Sequence, residues 1–173
     1  MPFVDTGTTL RIKPRTGTYA LVLVSRRIMH VRIGRTGKLE TQPEFYVYVG
    51  SAHGPGGVRA RVAHHQKLTP QPHWHVDYLR AVLELREAWL TYDPVRREHA
   101  WAVALNVWPG GLLPVTGFGC SDCECDSHLY FFRAYPSRAL VRRRVSTACP
   151  DHARISSAGP GWGAPTMVGR KAL

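Results

Sequence analysis

Acidic residues are scarce in this chain: 12 Asp and Glu stand against 23 Lys and Arg in 173 residues, leaving a net charge of +11. With an isoelectric point near 10.1, that deficit disfavours cationic partners and points to a polyanion. Long apolar runs are also missing. None approaches the ~18 residues that a membrane-spanning helix requires. The opening MPFVDTGTTLRIKPR lacks the charged-then-apolar pattern of a secretion signal, so the expected compartment is the cytoplasm. Cysteines number four, three of them inside CSDCEC, which is not the layout of a secreted disulfide framework. No internal repeat is found, and that excludes a solenoid.

What is present suits one domain with appendages. The chain is 44% hydrophobic, enough for a single core at this length but not for two. The positive charge is unevenly placed. From Arg133 onward eight Arg and Lys face one Asp, a net +7, and the preceding 132 residues carry only +4. Arg142, Arg143 and Arg144 form the densest run and are candidate phosphate contacts. The alternative is a solubilising, solvated tail.

The pattern of residues divides the chain into a lead-in (1–15), a folded body (16–134) and a basic C-terminal segment (135–173). The last segment is rich in Gly and Pro and is expected to be partly disordered. Within the body, residues 18–24 read as a strand. The turn Ser25-Arg26-Arg27 leads to 28–33 as its hairpin partner. Residues 45–50 make a third strand, in which Tyr46 and Tyr48 share one face while Phe45, Val47 and Val49 share the other. Helices are expected near 57–66, 76–86 and 95–106, and a late strand at 129–132. The fold class is therefore α/β, with a small antiparallel three-stranded sheet flanked by helices.

Certain residues stand out for chemistry. Gly17-Thr18-Tyr19 opens the first strand and Tyr48-Val49-Gly50 closes the third. The run GSAHGPGGVRARVAHH follows, placing Arg61 and His65 four apart on one helix face, and Glu98 stands in a later helical segment. In that order, and with the stretches HWHVDYL and GFGCSDCECDSHLYFF, residues of about 16–134 resemble the GIY-YIG nuclease family, in particular an uncharacterised prokaryotic branch of it. The first motif here is GTY, a departure that touches packing only.

The resemblance implies a DNA endonuclease, with a place in repair or processing, that hydrolyses phosphodiesters. It gives Tyr19 as general base or water-positioning phenol, with Tyr48 as its partner. Arg61 is implied as the phosphate clamp and His65 as a phosphate hydrogen-bonder or proton shuttle. Glu98 is the implied ligand of one Mg2+ or Mn2+ ion. A phenol with an ordinary pKa near ~10 is a poor base at neutral pH, so Tyr19 requires help from its neighbours. Arg59 is a weaker phosphate candidate, on another helix face. Taken singly, each of these residues is better explained as a sheet phenol, an exposed helix face or a favourable charge at a helix start.

Three features remain. In HWHVD, His75 and Asp77 are expected to line or brace the site, and packing explains them about as well. Cys120, Cys123, Cys125 and His128 could together hold zinc, but C-x-C directly after C-x-x-C is cramped for one tetrahedral ion, and zinc is not favoured. Gly54-Pro55-Gly56-Gly57 suits either a phosphate cradle or a tight strand-to-helix turn. The rival to an enzyme is a nucleic-acid-binding protein that keeps the fold without cutting. A third reading assigns the charge and the cysteine loop to protein assembly.

Overall fold

The computed structural model describes residues 11–35, 37–106, 116–120 and 123–159. Among these, four helices and seven strands make up a mixed α/β arrangement. The strands are β1 (Thr18–Ser25), β2 (Met29–Ile33), β3 (Gly37–Thr41), β4 (Glu44–Ser51), β5 (Glu84–Thr91), β6 (Leu129–Phe132) and β7 (Ser156–Ala158). The helices are α1 (Gly57–Gln66), α2 (His75–Arg80), α3 (Glu98–Asn106) and α4 (Arg138–Ala148). Five strands form one sheet in the order β6-β4-β1-β5-β7, with every pairing antiparallel, while β2 and β3 form a separate ribbon.

This corrects the expected three-stranded sheet and the expected β1–β2 hairpin. The reason lies in burial. Seven of the eight residues of β1 are buried, which is the signature of a central strand covered on both faces. Both its edges are occupied, by β4 and β5, so the alternating, half-exposed β2 must pair elsewhere. Residues 84–86, expected as the end of a helix, are instead the start of β5. Glu, Leu and Arg are good helix formers, but propensity is readily overridden by tertiary context, and here pairing with β1 and burial of Ala88, Trp89 and Leu90 outweigh it.

Two cores follow from the alternation along the sheet. Tyr19, Leu21, Leu23, Tyr46 and Tyr48 point to the face covered by α1, α2 and the β2–β3 ribbon. Ala20, Val22, Val47, Val49, Trp89 and Tyr130 point to the opposite face, where Trp101 of α3 and Val141 and Val145 of α4 cover them. The segment after residue 134 therefore contributes α4 and β7 to the fold. Ser137 caps α4 by accepting the Leu140 N–H, and β7 extends the sheet beside β5. The Gly/Pro-rich end from residue 160, residues 1–10 of the lead-in and the break at 107–115 lie outside the described residues.

A chain ending at Arg133 is accordingly expected to melt well below the full chain. It would lose Val141, Val145 and Ile155, each fully or almost fully buried. At about 1.5–3 kcal/mol per aliphatic side chain, and about 2–4 °C per kcal/mol at this size, the drop should reach about 10 °C or more. Equal melting temperatures would show α4 and β7 to be dispensable.

Candidate functional site

The site begins at the register of β1 against β4. Tyr19 pairs with Gly50 and Leu21 with Tyr48, so the two phenols are diagonal neighbours on one face, with ring centroids 6.4 Å apart. A Cβ at position 50 would overlap the Tyr19 ring. The glycine of YVG is thus a close-approach requirement. Thr18, fully buried, accepts the Arg97 N–H on its hydroxyl at 3.1 Å. Arg97 in turn grips Asp93 at 2.9 Å and Asp151 at 2.8 Å. This clamp seats the first turn of α3 at the end of β1 and brings Glu98 to the phenols.

The resulting cleft, of about 550 Å3, is lined by Tyr19, Tyr48, His53, Arg61, Arg96 and Glu98, among others. Arg61 reaches it from α1 and lies over the Trp74 ring, 4.3 Å from its centroid. That stacking orients the guanidinium plane. Glu98 is 6% exposed, and its Oε2 has no hydrogen-bond partner among the described residues. Its Oε1 lies 3.8 Å from Arg96 and 3.9 Å from His99. His53 Nε2 is a second buried polar atom without a partner. Polar atoms left in this way are costly unless a ligand completes them. An orphaned carboxylate oxygen fits a hard divalent cation, whose remaining positions water can fill.

His65 stands behind Tyr19, fully enclosed. Its Nε2 lies 2.9 Å from the Tyr19 hydroxyl and its Nδ1 lies 2.9 Å from Asp77 Oδ1. Both nitrogens are engaged, so the expectation of a phosphate contact by His65 is corrected: the imidazole serves Tyr19. Asp77 Oδ2 accepts from His64 Nε2 and from the backbone N–H groups of His73 and Trp74, each at 3.0 Å. Burial opposes ionisation of Asp77, but the hydrogen bonds from His65, Trp74, His64 and His73 outweigh it, and its pKa falls well below the usual carboxylate range. With four donors on its two oxygens, the His64–His65–Asp77 trio is a hydrogen-bonded brace already satisfied without a cation.

An ionised Asp77 can only accept, so His65 carries its proton on Nδ1. Burial, ahead of the opposing pull of Asp77, lowers the His65 pKa and keeps the ring neutral. Its bare Nε2 therefore accepts the Tyr19 proton. Burial first, then the neighbouring Tyr48, raise the Tyr19 pKa well above 10, although Arg61 opposes them. Tyr19 is consequently a neutral phenol whose proton points at a base.

The remaining expectations separate. His75 braces the site by accepting the Gly119 N–H at 3.1 Å, and Gly119 lines the cleft. Arg59 is exposed on α1 and does not line it. Arg142, Arg143 and Arg144 lie on α4, across the sheet from the phenols. The glycine turn is structural: Gly57, at φ +56°, donates to Gly54, and Val58 donates to Arg15, so these amides are already used.

The cysteine loop departs from expectation in one member. His99, Cys123, Cys125 and His128 place their ligand atoms within 4.8 Å of one another, a group able to hold a metal ion and better suited to zinc than to magnesium. His99 stands where Cys120 was expected, while the Cys120 thiol approaches the Phe118 carbonyl. Sequence reasoning missed His99, His53, Arg96 and Trp74. For Trp74 the signal was there, in the aromatic of HWHVD.

The chain belongs to the family described as "Domain of unknown function DUF123", which matches residues 18–149. This corrects the resemblance to the GIY-YIG nucleases. The family that matches is a distinct one, and the sheet has five strands. The GTY and YVG motifs here have local packing reasons in Thr18 and Gly50. No curated protein and no solved structure matches the chain. Among the described residues no helix is long and apolar enough to cross a membrane.

Proposed function

We propose that this protein is a divalent-cation-dependent endonuclease that hydrolyses phosphodiester bonds in nucleic acid, DNA ahead of RNA, as repair or processing of DNA requires. One observation carries the reading: a phenol hydrogen-bonded to a buried His–Asp pair faces an orphaned carboxylate and an arginine across a single cleft.

The geometry supports the following chemistry. Water gives a proton to Tyr19 Oη as the phenol passes its own to His65 Nε2, and ionised Asp77 stabilises the imidazolium. This relay avoids forming a phenolate, which burial disfavours. The resulting hydroxide attacks phosphorus, and the P–O bond to the leaving alkoxide breaks. Arg61 offers two parallel N–H donors to the phosphate oxygens. Glu98 would hold Mg2+ or Mn2+, which supplies charge neutralisation for the phosphorane and the departing oxygen. His53 Nε2 is placed to meet a further oxygen. The basic side chains of α4, at the other face of the sheet, would hold flanking nucleic acid without touching the scissile bond.

The test is incubation of the purified protein with duplex, nicked and branched DNA, with and without Mg2+ or Mn2+. Cation-dependent cleavage is expected. Arg61→Lys should slow cleavage more than it weakens binding, since a point charge replaces a planar fork. Tight binding with no cleavage of any substrate would favour a non-catalytic nucleic-acid-binding protein instead.

A further inference from the structure

We infer that His99, Cys123, Cys125 and His128 form a structural zinc centre that ties the first turn of α3 to the loop before β6 and so fixes one wall of the cleft. The donors come from three places. His99 is the second residue of α3, Cys123 and Cys125 lie in the loop, and His128 immediately precedes β6. His99 Nδ1 and Cys125 Sγ are 3.0 Å apart, and Cys123 Sγ and His128 Nε2 are 3.4 Å apart. Tetrahedral zinc with bonds of about 2.0–2.3 Å sets its ligand atoms about 3.3–3.8 Å apart. The observed separations, with an upper bound of 4.8 Å, bracket that range.

The outer contacts agree. His128 Nδ1 lies 3.3 Å from the Val49 carbonyl, which can only accept. The proton is therefore on Nδ1, and the lone pair of Nε2 is directed to the cluster. A carbonyl fixing the tautomer and ring of a metal-bound histidine is the usual outer partner of such a ligand. Two thiolates and two neutral imidazoles match the soft-to-borderline preference of zinc, and all four positions are protein atoms, as in structural rather than catalytic zinc sites.

The centre also explains how a loop with little regular structure can form part of a cleft. Gly119 and His128 both line it. The loop is held by backbone bonds from Gly117 to Asp126 and from His128 to Phe118. Because His99 follows Glu98 directly, zinc would anchor the turn that presents the carboxylate.

The test measures zinc itself, apart from any nuclease activity. Untagged full-length protein, expressed with added zinc, should contain one zinc per chain. After chelation, Co2+ should give the intense visible absorption of a tetrahedral thiolate site. His99→Ala, Cys123→Ser and Cys125→Ser should each lower zinc affinity by roughly a hundredfold or more, beyond the ~10–100-fold typical of outer-partner changes. Cys120→Ser should leave both stoichiometry and affinity unchanged. Circular dichroism and melting in excess zinc identify variants that fail to fold, and His99→Cys, which keeps a ligand, should retain zinc. Folded wild-type protein without zinc, unable to take up Co2+, would overturn the proposal. So would loss of zinc in Cys120→Ser with retention in His99→Ala, which would place all four ligands in the loop.

Discussion

Asp77→Asn is expected to lower the single-turnover cleavage rate by roughly 10^3-fold or more while leaving DNA affinity nearly unchanged. The reason is a proton on the wrong nitrogen. Asp77 Oδ2 accepts three hydrogen bonds, from His64 and from the amides of His73 and Trp74. The amide oxygen of Asn must take that place, and its NH2 group then faces His65 Nδ1. The imidazole is driven to carry its proton on Nε2, where it meets the Tyr19 hydroxyl as a donor and can no longer accept. Comparable tautomer errors in a His–Asp pair cost about 10^4 in kcat. Nitrogen chemical shifts of His65 would report the tautomer directly, separating this account from simple misfolding. A variant that cuts at the normal rate would sink the relay.

The proposed relay implies a pH dependence. The folded pKa of His65 is lowered by burial, so between that value and the unfolded ~6.5 the unfolded chain binds the extra proton. Stability from this group is therefore full above ~6.5 and lost as pH falls through the folded value. Asp77, also lowered, contributes in the same direction further into acid. The acid limb of the cleavage profile should accordingly fall below ~6.5.

Glu98→Gln should reduce Mg2+-dependent cleavage by roughly 10^2–10^3-fold or more with no loss of melting temperature. Gln is near-isosteric but lacks the charge that holds a hard cation, and charge stabilisation in such sites is worth several kcal/mol. The fold should tolerate the change because Oε2 has no hydrogen-bond partner to lose. Zinc content should be measured in parallel. A variant that keeps zinc but loses cleavage separates the carboxylate's role from that of the neighbouring His99. Full cleavage by Glu98→Gln, or by wild-type protein in a chelator that leaves zinc in place, would end the one-cation mechanism.

Much of this protein was legible residue by residue. Alternation along β4 placed Tyr46 and Tyr48 on one face. The four-residue spacing of Arg61 and His65 placed both on one face of α1. These are local readings, because side-chain direction repeats every two residues in a strand and every 3.6 in a helix.

Other features depended on partners distant in sequence, where no periodicity applies. Whether β1 pairs with β2 or with β4 and β5 was decided by which neighbours could cover both its faces. Residues 135–173 read as a basic, partly disordered segment because its few apolar side chains, Val141, Val145 and Ile155, count only once they meet Trp101 and Trp89. The choice for His65 between phosphate hydrogen-bonder and proton shuttle depends on Asp77 and Tyr19, which occupy its two nitrogens. His99 joins Cys123, Cys125 and His128 only because α3 starts beside the loop. The sequence by itself determined which side chains share a face. The tertiary structure alone decided what each face meets, because burial, hydrogen bonding and proton position depend on every atom within a few ångströms, whatever its place in the chain.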